Sequence, residues 1–417
     1  MRKNNIDLIL VSLYFTLVLF GWFALYSSEL NENSFQSISL SSRSGKQIIW
    51  LGVTFIIVVL LQFLDYRFYL NLAFPLYILS IIFLIIVLVY GITVSGSKSW
   101  ISIFDFRFQP SEFAKFSTAL FLCQFLLTKK YNKFKLTYKF LSFLIIIFPF
   151  ILVLIQGDFG TAFIFFSFLI VLYRYNIISI KFILVLVSFA LIFILGIILD
   201  KITLLGVIII ISLFVLGLSI NNLKKVFQIL IISISSLIIV QGQSFILNNV
   251  LETRHKNRLV SLFNPNSDPL GSGWNVTQSK IAIGSGGMFG SGYLQGTQTR
   301  FNFVPEQSTD FIFSVIGEEF GFLGSIFFIF IYSFFLIRLL TLAEMQKDEF
   351  AILYGYSVFS LFFFHYAINI AMSMGLFPVI GIPLPLFSYG GSSIISFSIL
   401  FFVFIRLNSY QSNILRR

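Results

Sequence analysis

Apolar residues in this chain gather into long runs separated by short polar breaks. Twelve runs lie at about 7–26, 47–65, 68–92, 111–128, 138–156, 159–175, 180–199, 202–220, 226–246, 311–340, 350–374 and 385–407. A helix needs roughly 20 mostly apolar residues to cross the hydrocarbon of a bilayer. The pattern predicts an all-α polytopic integral membrane protein. The 311–340 run is long for one crossing and is expected to tilt or to start in an outer loop.

Composition agrees. Of 417 residues, 58% are hydrophobic and 11% charged, a balance foreign to soluble globular domains. The first run has full spanning length and ends near Trp22 and Tyr26 without a small-residue cleavage site. It reads as a retained helix, not a signal peptide. Cationic residues orient the chain. With the N-terminus inside and the spans alternating, Arg2, Lys3, Arg67, Arg174, Lys224, Lys225, Arg338, Arg416 and Arg417 fall inside. So does the run KKYNKFKLTYK from Lys129 to Lys139. Both ends are then cytoplasmic, and 247–310 is a large extracytoplasmic loop. The net charge of +11 is this topology signal spread over membrane loops, so no nucleic-acid partner is expected. The lone Cys123 excludes an intrachain disulfide and a cysteine metal site. His365 sits in an apolar run and reads as an interhelical hydrogen-bonding residue. No Walker loop or dinucleotide fingerprint is present, so ATP does not drive the protein directly.

Unusual polar residues collect in four stretches, all on the outer side under that topology. In RFQPSEFAK, Pro110 suits a first helical turn, and Glu112 and Lys115 are neighbours on one helical face. They read either as an ion pair that eases insertion or, with Arg107, as part of a phosphate-binding set. In QGDFGTA, Asp158 between two glycines reads first as a turn with an N-capping aspartate. The long loop holds IAIGSGG, with Lys280 and Arg300 as candidate anion contacts. In GIPLPLFSYGGSS, Pro383, Pro385, Gly390 and Gly391 suit either a broken segment lining a cavity or an ordinary helix start.

The stretch VPEQSTDFIFSVIGEEFGFLG carries the most acidic residues. Glu306 and Asp310 precede an apolar run; Glu318 and Glu319 lie within it. Burial raises the pKa of a carboxyl at such a helix start, while the helix dipole and nearby cations lower it. A carboxylate so balanced accepts a proton while ionised. Glu318 and Glu319 cost about 2–3.5 kcal/mol each if unpaired in a membrane. They are expected to face protein or water and to pair with Lys or Arg on another helix.

RFQPSEFAK, QGDFGTA, NSDPLGSGWNVTQSKIAIGSGG, QGTQTRFNFVPEQSTDFIFSVIGEEFGFLG and GLFPVIGIPLPLFSYGGSS, in this order, resemble the SEDS family of bacteria (shape, elongation, division and sporulation). The resemblance runs from the first span to the last. It implies about ten family spans, with two extra spans inserted over 200–246. It implies a peptidoglycan glycosyltransferase of the cytoplasmic membrane that polymerises lipid II on the outer face. It places the essential aspartate on Asp310, the loop tryptophan on Trp100, and the Arg/Glu/Lys set on Arg107, Glu112 and Lys115. Arg107, Lys115, Lys280 and Arg258 are then candidates to stabilise the diphosphate, with Asp158 and Glu306 beside the substrate. A divalent cation (Mg2+ or Mn2+) would be a possible cofactor. A class B penicillin-binding protein is the implied partner, alongside membrane lipids. Gly157-Asp158-Phe159 departs from the family's proline-aspartate-leucine. The loop motifs resemble the elongation members more than the division members; a division polymerase is the nearer alternative. A lipid II flippase is the rival of another class, for which Glu318 and Glu319 are the best evidence.

Overall fold

A computed structural model describes residues 7–29, 39–103, 106–128, 135–218, 221–250, 252–264, 268 and 271–414. The KKYNKF part of the expected inside loop, both charged termini, and Pro269-Leu270 of the SDPLG motif lie outside these residues.

Each expected apolar run lies mainly on helix, the 385–407 run only from Gly391 onward. The first part of the chain gives α1 (Leu8–Glu29), α2 (Arg43–Phe63), α3 (Tyr66–Tyr90), α4 (Pro110–Thr128) and α5 (Leu136–Ile155). The next run is broken, with α6 (Phe159–Ile164) and α7 (Leu169–Arg174) joined by a 3-10 turn. Then come α8 (Ile180–Ile198), α9 (Lys201–Gly217), α10 (Leu223–Phe245), α11 (Thr253–Val260), α12 (Ser272–Ser285) and α13 (Thr297–Arg300). The chain closes with α14 (Ile312–Glu344), α15 (Glu349–Ser373) and α16 (Gly391–Ile414). Among the described residues, 9 helices are long and apolar enough to cross a membrane; Phe159–Arg174 and Lys201–Gly217 are shorter apolar helices.

The chain divides into two compact units, 1–177 with 275–417, and 178–274. The second unit holds α8 to α11. Leu204, Ile208 and Val240 form its small core, and Gln243 donates to the Phe193 carbonyl at 3.0 Å. The 200–246 segment expected as an insertion thus shares its unit with α8. In the first unit, α15 is buried along most of its length, and aromatic pairs lock its neighbours to it. Tyr332 stacks on Tyr366 at 4.4 Å, and Phe362 meets Phe397 edge-on at 4.8 Å.

One feature departs from the all-helical expectation. A three-stranded antiparallel sheet, β1 (Ile92–Val94), β2 (Ser97–Ile103) and β3 (Phe106–Phe108), links α3 to α4. Its first turn has Ser95 and Gly96 both at positive φ, 48° and 82°, the left-handed pair of a two-residue hairpin. Alternation in ITVSGSKSWISI carried that signal, which the surrounding apolar runs overshadow. Lys98 ties the hairpin down. Its amide donates to the Gln156 carbonyl, and its ammonium to the Leu88 and Val89 carbonyls at the end of α3.

The long run carries a break inside α14. Gly321 sits at φ 65°, ψ −160° inside α14. Gly286 and Gly290 of GSGGMFGSG, together with Gly321 itself, let two backbones touch there. The Phe322 and Leu323 amides donate to the Gly287 and Met288 carbonyls at 2.8 and 3.1 Å. The Ser291 and Gly292 amides donate to the Glu318 and Glu319 carbonyls at 2.9 and 3.0 Å. The loop thus satisfies backbone groups that the break frees. A Cβ on Gly321 would collide with the Gly290 amide nitrogen. Gly321→Ala is expected to lower stability by about 1–3 kcal/mol through backbone strain alone. Thermal unfolding in detergent measures it; an unchanged midpoint would contradict this account of the break.

Candidate functional site

The turn Val304–Phe311 carries Asp310 to the start of α14. Glu306 takes φ +53°, and its carbonyl accepts the Thr309, Asp310 and Phe311 amides at 3.1, 3.1 and 3.3 Å. Val304 and Phe311 bury themselves with Val276, Ala282 and Val379, which anchors both ends of the turn. Asp310 itself stays half-buried. A Cβ placed on Gly381, at φ +72°, would lie 3.4 Å from its Oδ2. A Cβ there would only reach van der Waals contact with the carboxylate; the left-handed φ is what favours glycine at 381.

The segment between α15 and α16 forms the opposite wall. Its non-helical backbone is buried at Val379, Ile382, Leu384, Leu386 and Phe387. Pro383 and Pro385 exclude a regular helix, so the last helix starts only at Gly391. Side chains meet the exposed backbone groups one by one. Asn369 donates through Nδ2 to the Asp310 and Ile382 carbonyls, both at 2.8 Å. His365 Nδ1 donates to the Pro383 carbonyl at 3.0 Å, and Tyr332 to the Pro385 carbonyl at 3.3 Å. Ser388 Oγ accepts the Leu384 amide at 2.8 Å and donates to the Thr309 carbonyl. The Tyr389 amide donates to the Ser308 carbonyl at 2.8 Å. The proline segment and the aspartate turn are thus one hydrogen-bonded body. The Gly390 amide donates to Gln47 Oε1 at 3.3 Å, and Gly391 lies so close to the Trp50 ring that a Cβ there would collide with it.

RFQPSEFAK and QGDFGTA meet at the same place. Gln109 donates its amide to Ser392 Oγ at 3.3 Å and its Nε2 to Asp158 Oδ2 at 2.8 Å. Asp158 also caps α6 by accepting the Thr161 amide at 3.1 Å. Burial pushes its carboxyl above the usual range, against those hydrogen bonds and nearby Lys115. Gly160 abuts the Ile380 carbonyl, so α6 packs directly on the proline segment. Trp100 lies on β2 opposite Ile92, and the exposed Arg107 on β3 opposite Ser102.

Two expectations change. Lys115 is fully buried and committed to protein: its ammonium contacts Glu112 Oε1 at 2.7 Å and His365 Nε2 at 2.9 Å. Because His365 Nδ1 faces a carbonyl, Nε2 is the acceptor. The Phe397 ring lies 5.0 Å from the same ammonium. Lys115 is therefore no phosphate ligand; it neutralises Glu112 and orients the histidine that holds Pro383. Glu318 and Glu319 find amides and hydroxyls where cations were expected. Glu318 accepts the Gln298 and Thr299 amides at 2.7 and 2.8 Å and the Thr299 hydroxyl, fastening the start of α13. Glu319 accepts the Leu294 amide at 3.1 Å and the Ser27 hydroxyl. A transport role for these two carboxylates loses its ground, because both hold the outer loop in place.

The remaining candidates are placed as follows. Glu306 is exposed at the turn, with Thr309 Oγ1 donating to its carboxylate at 3.2 Å. Lys280 is exposed on α12, its Cε 2.6 Å from where a Cβ on Gly375 would stand. Arg258 lies on α11 in the other unit. Among the described residues no three His, Cys, Asp or Glu converge as ligands. Sequence reasoning passed over Arg43, Gln109 and Asn369. Arg43 and Asn369 lie outside the four polar stretches; only the fold brings them to Asp310. Beside the turn is an open cavity of about 440 Å³, lined by Glu29, Arg43, Asn302, Glu306 and Ser308 among others.

The chain matches the profile of a family described as cell cycle protein, which covers FtsW, RodA and SpoVE, over residues 7–204 and 178–413. It is 30% identical to a peptidoglycan glycosyltransferase RodA of Treponema pallidum, covering 98% of each chain. It is 29% identical to a peptidoglycan glycosyltransferase MrdB of Escherichia coli, covering 94% of this chain and 90% of the relative. It superposes with TM-score 0.71 and 24% identity on a chain of a peptidoglycan synthase complex described as coordinating polymerization and crosslinking, covering 98% of both.

The Lys115 assignment has a direct test. Lys115→Met leaves Glu112 charged and buried, and should cost about 3–5 kcal/mol of stability. Adding Glu112→Gln should recover most of that loss. Chemical denaturation of the purified variants measures both. Unchanged stability with lost turnover would instead return Lys115 to the substrate.

Proposed function

The chain belongs to the cell cycle protein family of FtsW, RodA and SpoVE, and on that premise we propose that it is a peptidoglycan glycosyltransferase polymerising lipid II at the outer face of the bacterial cytoplasmic membrane. The elongation branch is the better fit, since the RodA relative from Treponema pallidum aligns over almost the whole of both chains. One observation carries the assignment of the base. Asp310 is half-buried at the start of α14, and a Cβ on Gly381 of the proline segment would lie 3.4 Å from its Oδ2.

In this reading Asp310 takes the proton from the 4-hydroxyl of the acceptor's N-acetylglucosamine. That oxygen attacks the anomeric carbon of the donor's N-acetylmuramic acid. The bond from that carbon to the diphosphate oxygen breaks, and its electron pair leaves with undecaprenyl diphosphate. Configuration inverts. One base and a positive environment for the leaving group suffice, and no covalent intermediate is required. Asn369 and the Glu306 carbonyl fix the aspartate's backbone, so the carboxylate meets the substrate without reorganising. A transpeptidase of the class B penicillin-binding type is the partner that would crosslink the strands. The superposition on a synthase-complex chain supports the fold that such a partner would meet.

Asp310→Asn keeps the side chain's size and removes its basicity. In liposomes supplied with lipid II it should reduce polymer formation by about a hundredfold or more, with an unfolding midpoint like that of the parent. Gel analysis of glycan chains reads the outcome. Long polymer made by a well-folded Asp310→Asn protein would overturn the assignment.

A further inference from the structure

Glu306 has a backbone conformation that side-chain-bearing residues seldom adopt. Its φ of +53° lies in the left-handed region. Glycine would sit there without strain, so a carboxylate at this position calls for a use. The side chain is exposed and accepts the Thr309 hydroxyl at 3.2 Å. Among the described residues no lysine or arginine stands within ion-pair distance of it.

Glu306 borders the open cavity of about 440 Å³ beside the aspartate turn, and the lining of that cavity is rich in acceptors. The Ser28 and Ser42 hydroxyls spend their protons on the Leu25 and Ser39 carbonyls, both at 2.7 Å. Gln307 Nε2 donates to the Ser28 and Thr299 carbonyls at 2.8 and 2.9 Å, and its buried Oε1 meets no donor among the described residues. Arg43 is the cation of the lining. Its Nη1 donates to Ser308 Oγ, and no described carboxylate lies within ion-pair distance of the guanidinium. Two carboxylates, Glu29 and Glu306, share the lining with it, so the wall is net negative. Glu29 is committed, since its oxygens accept the Arg43 and Ser44 amides. Glu306 is the carboxylate left for a ligand. A diphosphate brings acceptors and negative charge only, and is a poor match to this wall. A ligand rich in N–H donors, cationic at one end and anionic at the other, complements it.

The substrate of the reading above has such a part. Crosslinking joins an amine of one stem peptide to a carbonyl of another, so each polymerised unit must carry a free primary amine. That amine is an ammonium at neutral pH. We propose that the cavity seats the stem peptide of the substrate, with Glu306 receiving the side-chain ammonium of its diamino residue and Arg43 a carboxylate of the same peptide. The inference rests on the glycosyltransferase reading and names the part of the substrate that sets specificity. Glu306 binds from the same turn that carries the base, because its carbonyl holds the Asp310 amide at 3.1 Å. Seating the peptide therefore positions the attached sugar against Asp310. Selection for the ammonium keeps units that could not be crosslinked out of the strand.

The test uses the full chain in phosphatidylcholine vesicles and a synthetic muramoyl pentapeptide with lysine at the diamino position, free or acetylated on Nζ. Calorimetry on an Asp310→Asn background measures binding without turnover. The free amine should bind about 10-fold more tightly than the acetylated form. Glu306→Gln, which can still accept the Thr309 hydroxyl, should bring that ratio near one. Arg43→Gln should weaken both peptides alike. On the Asp310-containing protein, lipid II with a free or an acetylated amine is offered in competition, and the same ratio should appear in kcat/KM. Discrimination that survives Glu306→Gln overturns the proposal, as does a parent protein that does not discriminate. So does displacement of the peptide by inorganic pyrophosphate, which would give the cavity to the leaving group. Discriminating binding without any polymerisation would defeat the glycosyltransferase reading and leave the peptide site standing.

Discussion

Backbone polar groups inside a membrane protein have no water to fall back on, and the whole polar end of this bundle is built around that constraint. Two segments here are buried without being regular: the aspartate turn and the proline segment before α16. Each could exist only if neighbouring side chains met its free carbonyls and amides. α15 does most of this. His365 and Asn369, one helical turn apart, present their polar atoms to Pro383, Ile382 and Asp310. Tyr332, Ser388 and Gln47 complete the set. The position of Asp310 is a by-product of this satisfaction, since the bonds that make the coil tolerable also hold its backbone.

The same logic governs the break in α14. A positive φ at Gly321 interrupts the helix, and a glycine-rich loop supplies hydrogen bonds at the gap. Glycines are needed on both sides because the two backbones approach without room for side chains. Glu318 and Glu319, just before the break, receive amides from the following stretch of the loop. Buried carboxylates thus act in two ways in this protein. Glu112 is neutralised by a lysine, whereas Glu318 is solvated by peptide groups. The first pair lies within α4, and its lysine carries the contact on to His365 of α15; the second fastens a loop to the bundle. Both carboxylates are thus committed to partners inside the protein.

Much of this was legible beforehand. Long apolar runs announce helices because a helix satisfies its own backbone within one segment, and each run is mainly helical. Asp158 as an N-cap, the irregular course around Pro383 and Pro385, and His365 as an interhelical hydrogen bonder follow from local chemistry. Side-chain partners were less accessible. Glu112 and Lys115 are close in sequence, so their pairing was visible, but His365 as the third member joins them across 250 residues. The small sheet after α3 escaped notice because its alternation spans only a few residues between two strongly apolar helices.

The sequence by itself determined that this chain crosses a membrane many times, that its polar chemistry gathers at one face, and that Asp310 stands where a helix begins. Those properties come from periodicity, length and residue type, which are local. Only the tertiary structure decided which charges are available. It enclosed Lys115, gave Glu318 and Glu319 to backbone amides, and brought Arg43 from the start of α2 to Ser308. A charge's role depends on the dielectric and the partners around it, and distant segments supply both.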